Sequence, residues 1–349
     1  MAYTTVDNPE KYFQCKIYTG NGSTQSITFD GTSDMRPDMN WTKVRSETGS
    51  HRLTDIIRGL DNPVYPNGND VEGDEDNYAS FDSDGFSLKN ASVNENTRTY
   101  VSWCWNAAAS NAANSDGDIA SVVRANTTSG FSIVTYTGNA TSGQGVGHGL
   151  GIAPKFISIK NRDQNDTWIV FTTGVDGSLD YISNGWGDTN SKGDSGLDVP
   201  TTSIFDIHSD AHQNATGEKY VAYCWANVQG FSKIGVYRGN NNSDGPFVYT
   251  GFRPAFVIIK DSGSGQHWHI IDNKRDPFND NAAAQVTANT SSAESAVASD
   301  RGALPLDLLS NGFKVRTDGS SCNGTGVFLY MAFAESPFAN SKGIPNNAR

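Results

Sequence analysis

The apolar residues of this chain occur in short runs, many of which alternate with polar residues at every second position. Such alternation is typical of a β-strand with one buried face, and residues 13–18, 131–136 and 231–237 show it clearly. Turn pairs such as Asp84-Gly85 and Asn311-Gly312 precede further strand-like runs, and few segments have helical periodicity. The pattern predicts an all-β protein.

Three landmarks recur in the same order three times along the chain. Each series opens on Tyr-x-Gly-Asn, continues with a proline-led run that ends in lysine, and closes on an aromatic strand. The opening tyrosines are Tyr18, Tyr136 and Tyr237, the proline-led runs are residues 37–43, 154–160 and 254–260, and the closing strands are residues 100–105, 220–225 and 328–333. This constant order and near-constant spacing predict three tandem repeats of one unit.

Each repeat is predicted to form one β-sandwich, because its strands are short and separated by regular turns. The first repeat covers residues 12–110, the second residues 130–228 and the third residues 229–338. The join at residues 107–130 is rich in Ala, Asn, Ser and Asp, as linkers are. Residues 1–11 and 339–349 are expected to be terminal arms that gain order by docking on a neighbouring chain, which predicts a homo-oligomer.

The charge balance narrows the range of partners. The chain has 26 basic and 38 acidic residues, so its net charge is −12. A surface this acidic repels phosphate backbones, and we predict no nucleic-acid ligand and no docking on anionic lipid. No stretch approaches the ~18 apolar residues of a membrane helix. The opening sequence lacks a basic region followed by an apolar one, so no secretory signal is expected.

Catalytic motifs are not evident, and we predict that the protein is not an enzyme. Residues 70–76 contain five carboxylates, but a glycan hydrolase needs one desolvated carboxyl group. An exposed acidic run does not provide one, so we expect a solvated loop. There is no Gly-x-Ser-x-Gly elbow, and residues 143–147 lack the Lys-Ser/Thr of a phosphate loop.

Metal ligation has two weak candidates. His267 and His269 share one face of a strand, but a third ligand is not evident and Trp268 between them aligns with Trp168, an expected core position. Residues 82–85 and 116–118 contain aspartates at spacings seen in calcium loops, although turn formation explains them equally well. We therefore predict no metal site and no cofactor, while bound calcium stays open as an alternative.

Aromatic residues in an insertion of the second repeat are the candidate sugar-binding residues. Residues 181–188 have no clear counterpart in the first repeat. They include Tyr181, Trp186 and Asp188, and aromatic faces stack on sugar rings while carboxylates accept hydrogen bonds from hydroxyl groups. The alternative interpretation is an aromatic side chain that closes the edge of the sandwich.

The two strands YVSWCW and YVAYCW, the opening residues 1–27 and the closing residues 330–338 have a distinctive sequence. They resemble a family of virion proteins of marine bacteriophages. Members carry a domain of unknown function, usually repeated, for which a lectin-like or jelly-roll β-sandwich is expected, and they are typically labelled tail fibre, tail or structural proteins. The resemblance covers almost the whole chain and brings no catalytic residues with it.

One motif of that family is incomplete here. The family often has a Trp-x-x-x-Asp-x-x-Arg-Gly run in the middle of each unit. The matching stretches are residues 51–59, 168–172 and 268–275. The first lacks the tryptophan and the second lacks the aspartate, so a binding role common to all three repeats is excluded and a structural role is favoured.

The resemblance implies a virion structural protein on the exterior or tail of the particle, as a tail fibre, an appendage or a capsid-exterior component. Its expected partners are other virion proteins and copies of itself. The alternative is a lectin-like receptor-binding module that recognises a host-surface glycan, and both roles can coexist in one fibre. Any host contact is expected in loops of the second or third repeat, such as residues 181–198 and 278–300.

Overall fold

The computed structural model describes residues 3–89, 92–182, 186, 192–275, 277–279, 285–294 and 306–346. Their regular secondary structure is almost entirely antiparallel β-sheet. The exceptions are a short 3-10 turn, Pro9–Lys11, and one helical turn, α1 (Ser320–Asn323). The prediction of an all-β, sandwich-type fold is confirmed. Within the described part of the chain, no helix is long and apolar enough to cross a membrane.

The first repeat forms two sheets that pack face to face. Its strands are β1 (Phe13–Thr19), β2 (Gln25–Ile27), β3 (Met39–Val44), β4 (Arg52–Asp55), β5 (Gly59–Val64), β6 (Tyr78–Asp82), β7 (Gly85–Leu88) and β8 (Thr99–Trp105). The strand orders are β1-β8-β3-β4-β5 and β2-β7-β6. Tyr18 and Tyr100 from the larger sheet pack with Tyr78 and Phe86 from the smaller one.

The second repeat has a much larger sheet. Its strands are β9 (Ala112–Asn114), β10 (Ser121–Asn126), β11 (Phe131–Thr137), β12 (Gln144–Gly147), β13 (Phe156–Asn161), β14 (Ile169–Thr172), β15 (Asp180–Ile182), β16 (Gly193–Asp194), β17 (Ile204–Ile207) and β18 (Lys219–Trp225). The strand orders are β16-β15-β14-β13-β18-β11-β10-β9 and β12-β17. The prediction of a linker at residues 107–130 is wrong, because β10 pairs with β11 and extends the sheet.

The third repeat again combines a five-stranded and a three-stranded sheet. Its strands are β19 (Ser232–Arg238), β20 (Phe247–Tyr249), β21 (Phe252–Asp261), β22 (His269–Asp272), β23 (Val286–Thr287), β24 (Leu306–Leu309), β25 (Gly312–Val315) and β26 (Val327–Pro337). The strand orders are β19-β26-β21-β22-β23 and β20-β25-β24. The first and third repeats therefore share one strand arrangement.

The Tyr-x-Gly-Asn landmark has the same structural role each time. Its tyrosine stacks on the aromatic residue across the sheet, with ring centroids 5.1 Å apart for Tyr18 and Tyr100 and with matching pairs in the other repeats. The backbone N–H of its asparagine donates to a buried Asn side chain from a distant loop: Asn94, Asn214 or Asn323. A Cβ atom on Gly20 would overlap with the carbonyl of Glu95, which explains the glycine.

The lysine that ends each proline-led run is buried. Lys43, Lys160 and Lys260 donate from Nζ to the carbonyl oxygen of the next residue. Lys160 also donates to the carbonyls of Gln164 and Asp166. Burial lowers the pKa of Lys43 and of Lys160 to about 8. Backbone carbonyls thus compensate for the lost hydration of each ammonium group.

A single aromatic core joins the three repeats. The rings of Trp105 and Trp225, from equivalent strands of two repeats, have centroids 6.2 Å apart, and Phe333 of the third lies 5.4 Å from Trp105. These residues belong to one continuous cluster of buried side chains. The large sheets therefore pack against one another as well as against their own small sheets.

The incomplete Asp-x-x-Arg motif lies at the contacts between repeats. Arg58 of the first repeat pairs with Asp55 and donates to Tyr223 of the second. Asp272 of the third repeat pairs with Arg275 and accepts from the indole of Trp103 in the first. In the second repeat, Thr172 and Val175 replace the charged pair, and Gly174 lies against Ile234 and Leu329 of the third. The first repeat thus contacts the second, the second contacts the third, and the third contacts the first. The motif therefore has a structural role at these contacts.

The described residues of both termini pack on the body of the same chain. Val6 is buried, Thr4 donates to the carbonyl of Gln229, and Tyr3 donates to that of Gly251. The backbone N–H and the hydroxyl of Ser341 donate to Asp7, which ties the two ends together. The argument for a homo-oligomer that rested on free arms is therefore removed.

Candidate functional site

The structure separates the three candidate sugar-binding residues. Trp186 has 0 % of its surface exposed and lies in the shared core, with ring centroids 5.1 Å from Trp41 and 4.9 Å from Trp268. It cannot stack on a sugar at the surface, so this prediction is wrong for Trp186. A large indole is most stable out of water, and the junction of the three repeats provides that site. Asp188 lies outside the described residues.

Tyr181 lies on a cleft of the second repeat. The cleft has a volume of about 480 Å³ and opens where the eight-stranded sheet extends beyond the small β12-β17 sheet. Its lining consists of Thr167, Ile169, Phe171, Tyr181, Asp194, Ser195, His208, Asp210, His212 and Gln213. Ile169 and Phe171 form a buried apolar floor, and Tyr181 is half-buried beside them. This volume is within the range of ligand-binding sites.

The rim of the cleft is polar. His208 Nε2 lies 2.8 Å from the carbonyl oxygen of Ser195, and His212 Nδ1 lies 2.5 Å from the carboxylate of Asp166. Gln213 donates from Nε2 to Asp210 at 2.7 Å. Its Oε1 is buried and has no hydrogen-bond partner among the described residues. Gln213 therefore gives the wall of the cleft a buried acceptor that is unpaired among the described residues.

The corresponding place in the first repeat is filled. Arg52 occupies the strand position that Ile169 has in the second repeat, since each is the partner of an equivalent residue on the neighbouring strand. The Arg52 guanidinium lies 2.5 Å from Glu75. Although burial favours the neutral acid, hydrogen bonds from Arg52, Tyr65 and Asn77 lower the pKa of Glu75 to about 2. The cleft is thus a place where the repeats have diverged.

The acidic run 70–76 makes more contacts with the body of the protein than a solvated loop would. Asp70, Asp74 and Asp76 are exposed, as expected of a solvated loop. Glu72, however, pairs with Arg162 of the second repeat at 2.8 Å and with Arg58 at 2.7 Å. Two glutamates of the run, Glu72 and Glu75, therefore fasten the loop to the body of the protein.

The candidate metal ligands have other partners. His269 is buried, which lowers its pKa to about 3, and its Nδ1 bonds to Gln285. His267 Nδ1 bonds to the side chain of Asn289. Asp82 accepts from the hydroxyl of Ser87, and Asp118 accepts from a backbone N–H. The described residues contain no group of three His, Cys, Asp or Glu side chains that could hold a metal ion.

One family model matches residues 8–337, and its description is "Domain of unknown function (DUF7483)". The chain belongs to this family. The matched range spans all three repeats. No curated protein and no solved structure matches the chain.

The rim residues of the cleft were missed at the level of sequence. His208, Asp210, His212 and Gln213 fall within six positions after β17, and two of the six histidines of the chain are among them. This local concentration of polar, titratable residues is the sequence feature that could have identified the rim. Their convergence with Tyr181 depends on how β14, β15 and β17 pack together, which no local pattern specifies.

Proposed function

We propose that this protein is a non-enzymatic structural component of a phage particle, as a tail fibre, another appendage or part of the capsid exterior. It would be built from three copies of one sandwich unit, at residues 12–110, 130–228 and 229–338, and would contact other virion proteins. The resemblance of its opening segment and aromatic strands to virion proteins of marine phages supports this role.

The shared aromatic core is the observation that carries the proposal. A particle component must hold its shape under load, and separate sandwiches on flexible linkers would bend at each join. Here the rings of Trp105, Trp225 and Phe333 pack between repeats, and buried ion pairs reinforce the contacts. Close-packed interiors of this kind resist deformation.

The test is the composition of purified particles. Mass spectrometry of density-purified virions of the phage that encodes this chain should find the protein at a constant ratio to the major capsid protein. Gold-labelled antibodies should place it on the tail or capsid exterior of intact particles. A replication protein of the same phage is the control and should be absent. Particles that lack this protein would overturn the proposal.

Recognition of a host glycan is the second candidate function, and the cleft of the second repeat favours it. An apolar floor, a half-buried tyrosine and a polar rim are the usual elements of a small-ligand site. Binding of the purified protein to a glycan array would support this function.

A further inference from the structure

We infer that the cleft between β14, β15 and β17 binds an uncharged saccharide, with Tyr181 under the sugar ring and the Gln213 side chain accepting from a sugar hydroxyl. This inference rests on glycan recognition, the second candidate function, and specifies its site and ligand class.

The charges around the cleft select against anionic sugars. Its described lining includes the exposed carboxylates of Asp194 and Asp210 and has no lysine or arginine. Anionic ligands are usually held by cationic side chains. A uronic, sialic or sulfated sugar would instead meet two carboxylates, whereas neutral hydroxyl groups can donate to them. The lining therefore matches a neutral ligand.

Gln213 provides a buried group that a hydroxyl can satisfy. The residue is 2 % exposed, its Nε2 is engaged by Asp210, and Oε1 lacks a partner among the described residues. Leaving a buried acceptor unpaired is costly. Because Oε1 is enclosed, we expect the Gln213 side chain to shift on binding, so that a saccharide hydroxyl in the cleft donates to Oε1 and recovers that cost.

The difference between the first and second repeats also supports a binding site at this cleft. In the first repeat the equivalent strand position carries Arg52, whose ion pair with Glu75 is completed by Tyr65 and Asn77. In the second repeat Ile169 leaves the sheet face apolar and the cleft open. Apolar C–H faces of a sugar ring pack on such a floor, while its hydroxyl groups reach the polar rim.

The experiment uses the full-length protein on an array that carries neutral hexose and N-acetylhexosamine glycans beside sialylated, uronic and sulfated ones. The strongest neutral hit is then titrated by calorimetry against wild type, Tyr181→Ala, Gln213→Leu and the control Phe247→Ala. Phe247 is a 46 % exposed aromatic residue on β20, away from the cleft. Thermal unfolding of each variant checks that it is folded.

We expect hits confined to neutral glycans, and binding weakened roughly tenfold or more by Tyr181→Ala and by Gln213→Leu, with Phe247→Ala unchanged. Each cleft variant tests the inference by itself, so one poorly folded variant does not remove the test. Preference for anionic glycans, or neutral binding that both folded cleft variants retain, would overturn this inference while leaving glycan recognition in place. No binding to any glycan would reject the second candidate function as well.

Discussion

The phenolic hydroxyl of Tyr223 donates a 2.8 Å hydrogen bond to the carboxylate of Asp55, 168 positions earlier in the chain. Arg58 completes the group, with Nε 2.5 Å from Asp55 and Nη2 donating to the Tyr223 hydroxyl at 3.0 Å. Burial opposes the charge of Arg58, but Asp55, Tyr223 and Glu72 raise its pKa above the ordinary value. The first and second repeats are thus joined by a buried ion pair that also binds the Tyr223 hydroxyl.

Replacing Arg58 with methionine should destabilise the protein strongly. Arg58→Met leaves the Asp55 carboxylate buried without its partner, which typically costs about 3–5 kcal/mol. The measurement is the free energy of unfolding in urea. Arg316→Met is the matched control, because the Arg316–Asp307 pair is partly exposed and should contribute less than about 1 kcal/mol. Equal effects of the two substitutions would contradict the structural role of the buried pair.

Trp105→Ala and Trp225→Ala should each cost about 3–5 kcal/mol, as for other large aromatic residues removed from a core. Because the two rings are in contact across repeats, the double variant should deviate from additivity by about 0.5–3 kcal/mol. Denaturant unfolding of the four proteins measures this coupling. Strict additivity would indicate that the repeats have separate cores.

The contribution of the buried lysines Lys43 and Lys160 to stability should rise as the pH increases from 7 to 9.5. Lys43 and Lys160 have pKa values of about 8 in the folded protein, below the ordinary value of 10.5. Between these values the two lysines bind more protons in the unfolded chain than in the folded one, so their titration favours folding as the pH rises. Below pH 8 both states are protonated and the folded protein bears the full cost of the buried charge.

The variant Lys160→Met tests whether the buried lysines cause this pH dependence. It removes one buried ammonium group, so the change in the unfolding midpoint from pH 7 to 9.5 should be less favourable to folding than in wild type. Lys219→Met, at an exposed position, should leave the slope unchanged. A slope that is identical in wild type and Lys160→Met would show that Lys160 does not titrate in this range.

Deletion of residues 181–198 should abolish cooperative folding. From its sequence, this segment is one of the loops expected to contact a host. It contains Trp186, which packs between Trp41 and Trp268, and its β16 pairs with β15. Circular dichroism and thermal unfolding of the deletion variant provide the measurement, with Trp186→Ala as a milder change expected to cost about 3–5 kcal/mol. A deletion variant that unfolds cooperatively near the wild-type midpoint would contradict the core position of Trp186.

The sequence determined the strand content and the internal repetition of this protein. Period-two alternation and glycine turns act over a few residues, so they predict strands wherever those strands later pack. The recurring tyrosines and lysines also keep their structural roles in every repeat, because the contact that recurs lies within one unit: Tyr18 stacks on Tyr100, and Lys160 donates to the carbonyl of Asn161.

Only the tertiary structure decided what lies between the repeats. Whether Trp186 faces water or a core depends on Trp41 and Trp268, which are far away in the chain. Which side chains meet Tyr181 depends on how β14, β15 and β17 pack together. Burial is a property of the assembled fold, because hydrophobic side chains pack wherever the folded chain provides apolar space that excludes water. That space exists only once the three large sheets have come together around Trp105, Trp225 and Phe333.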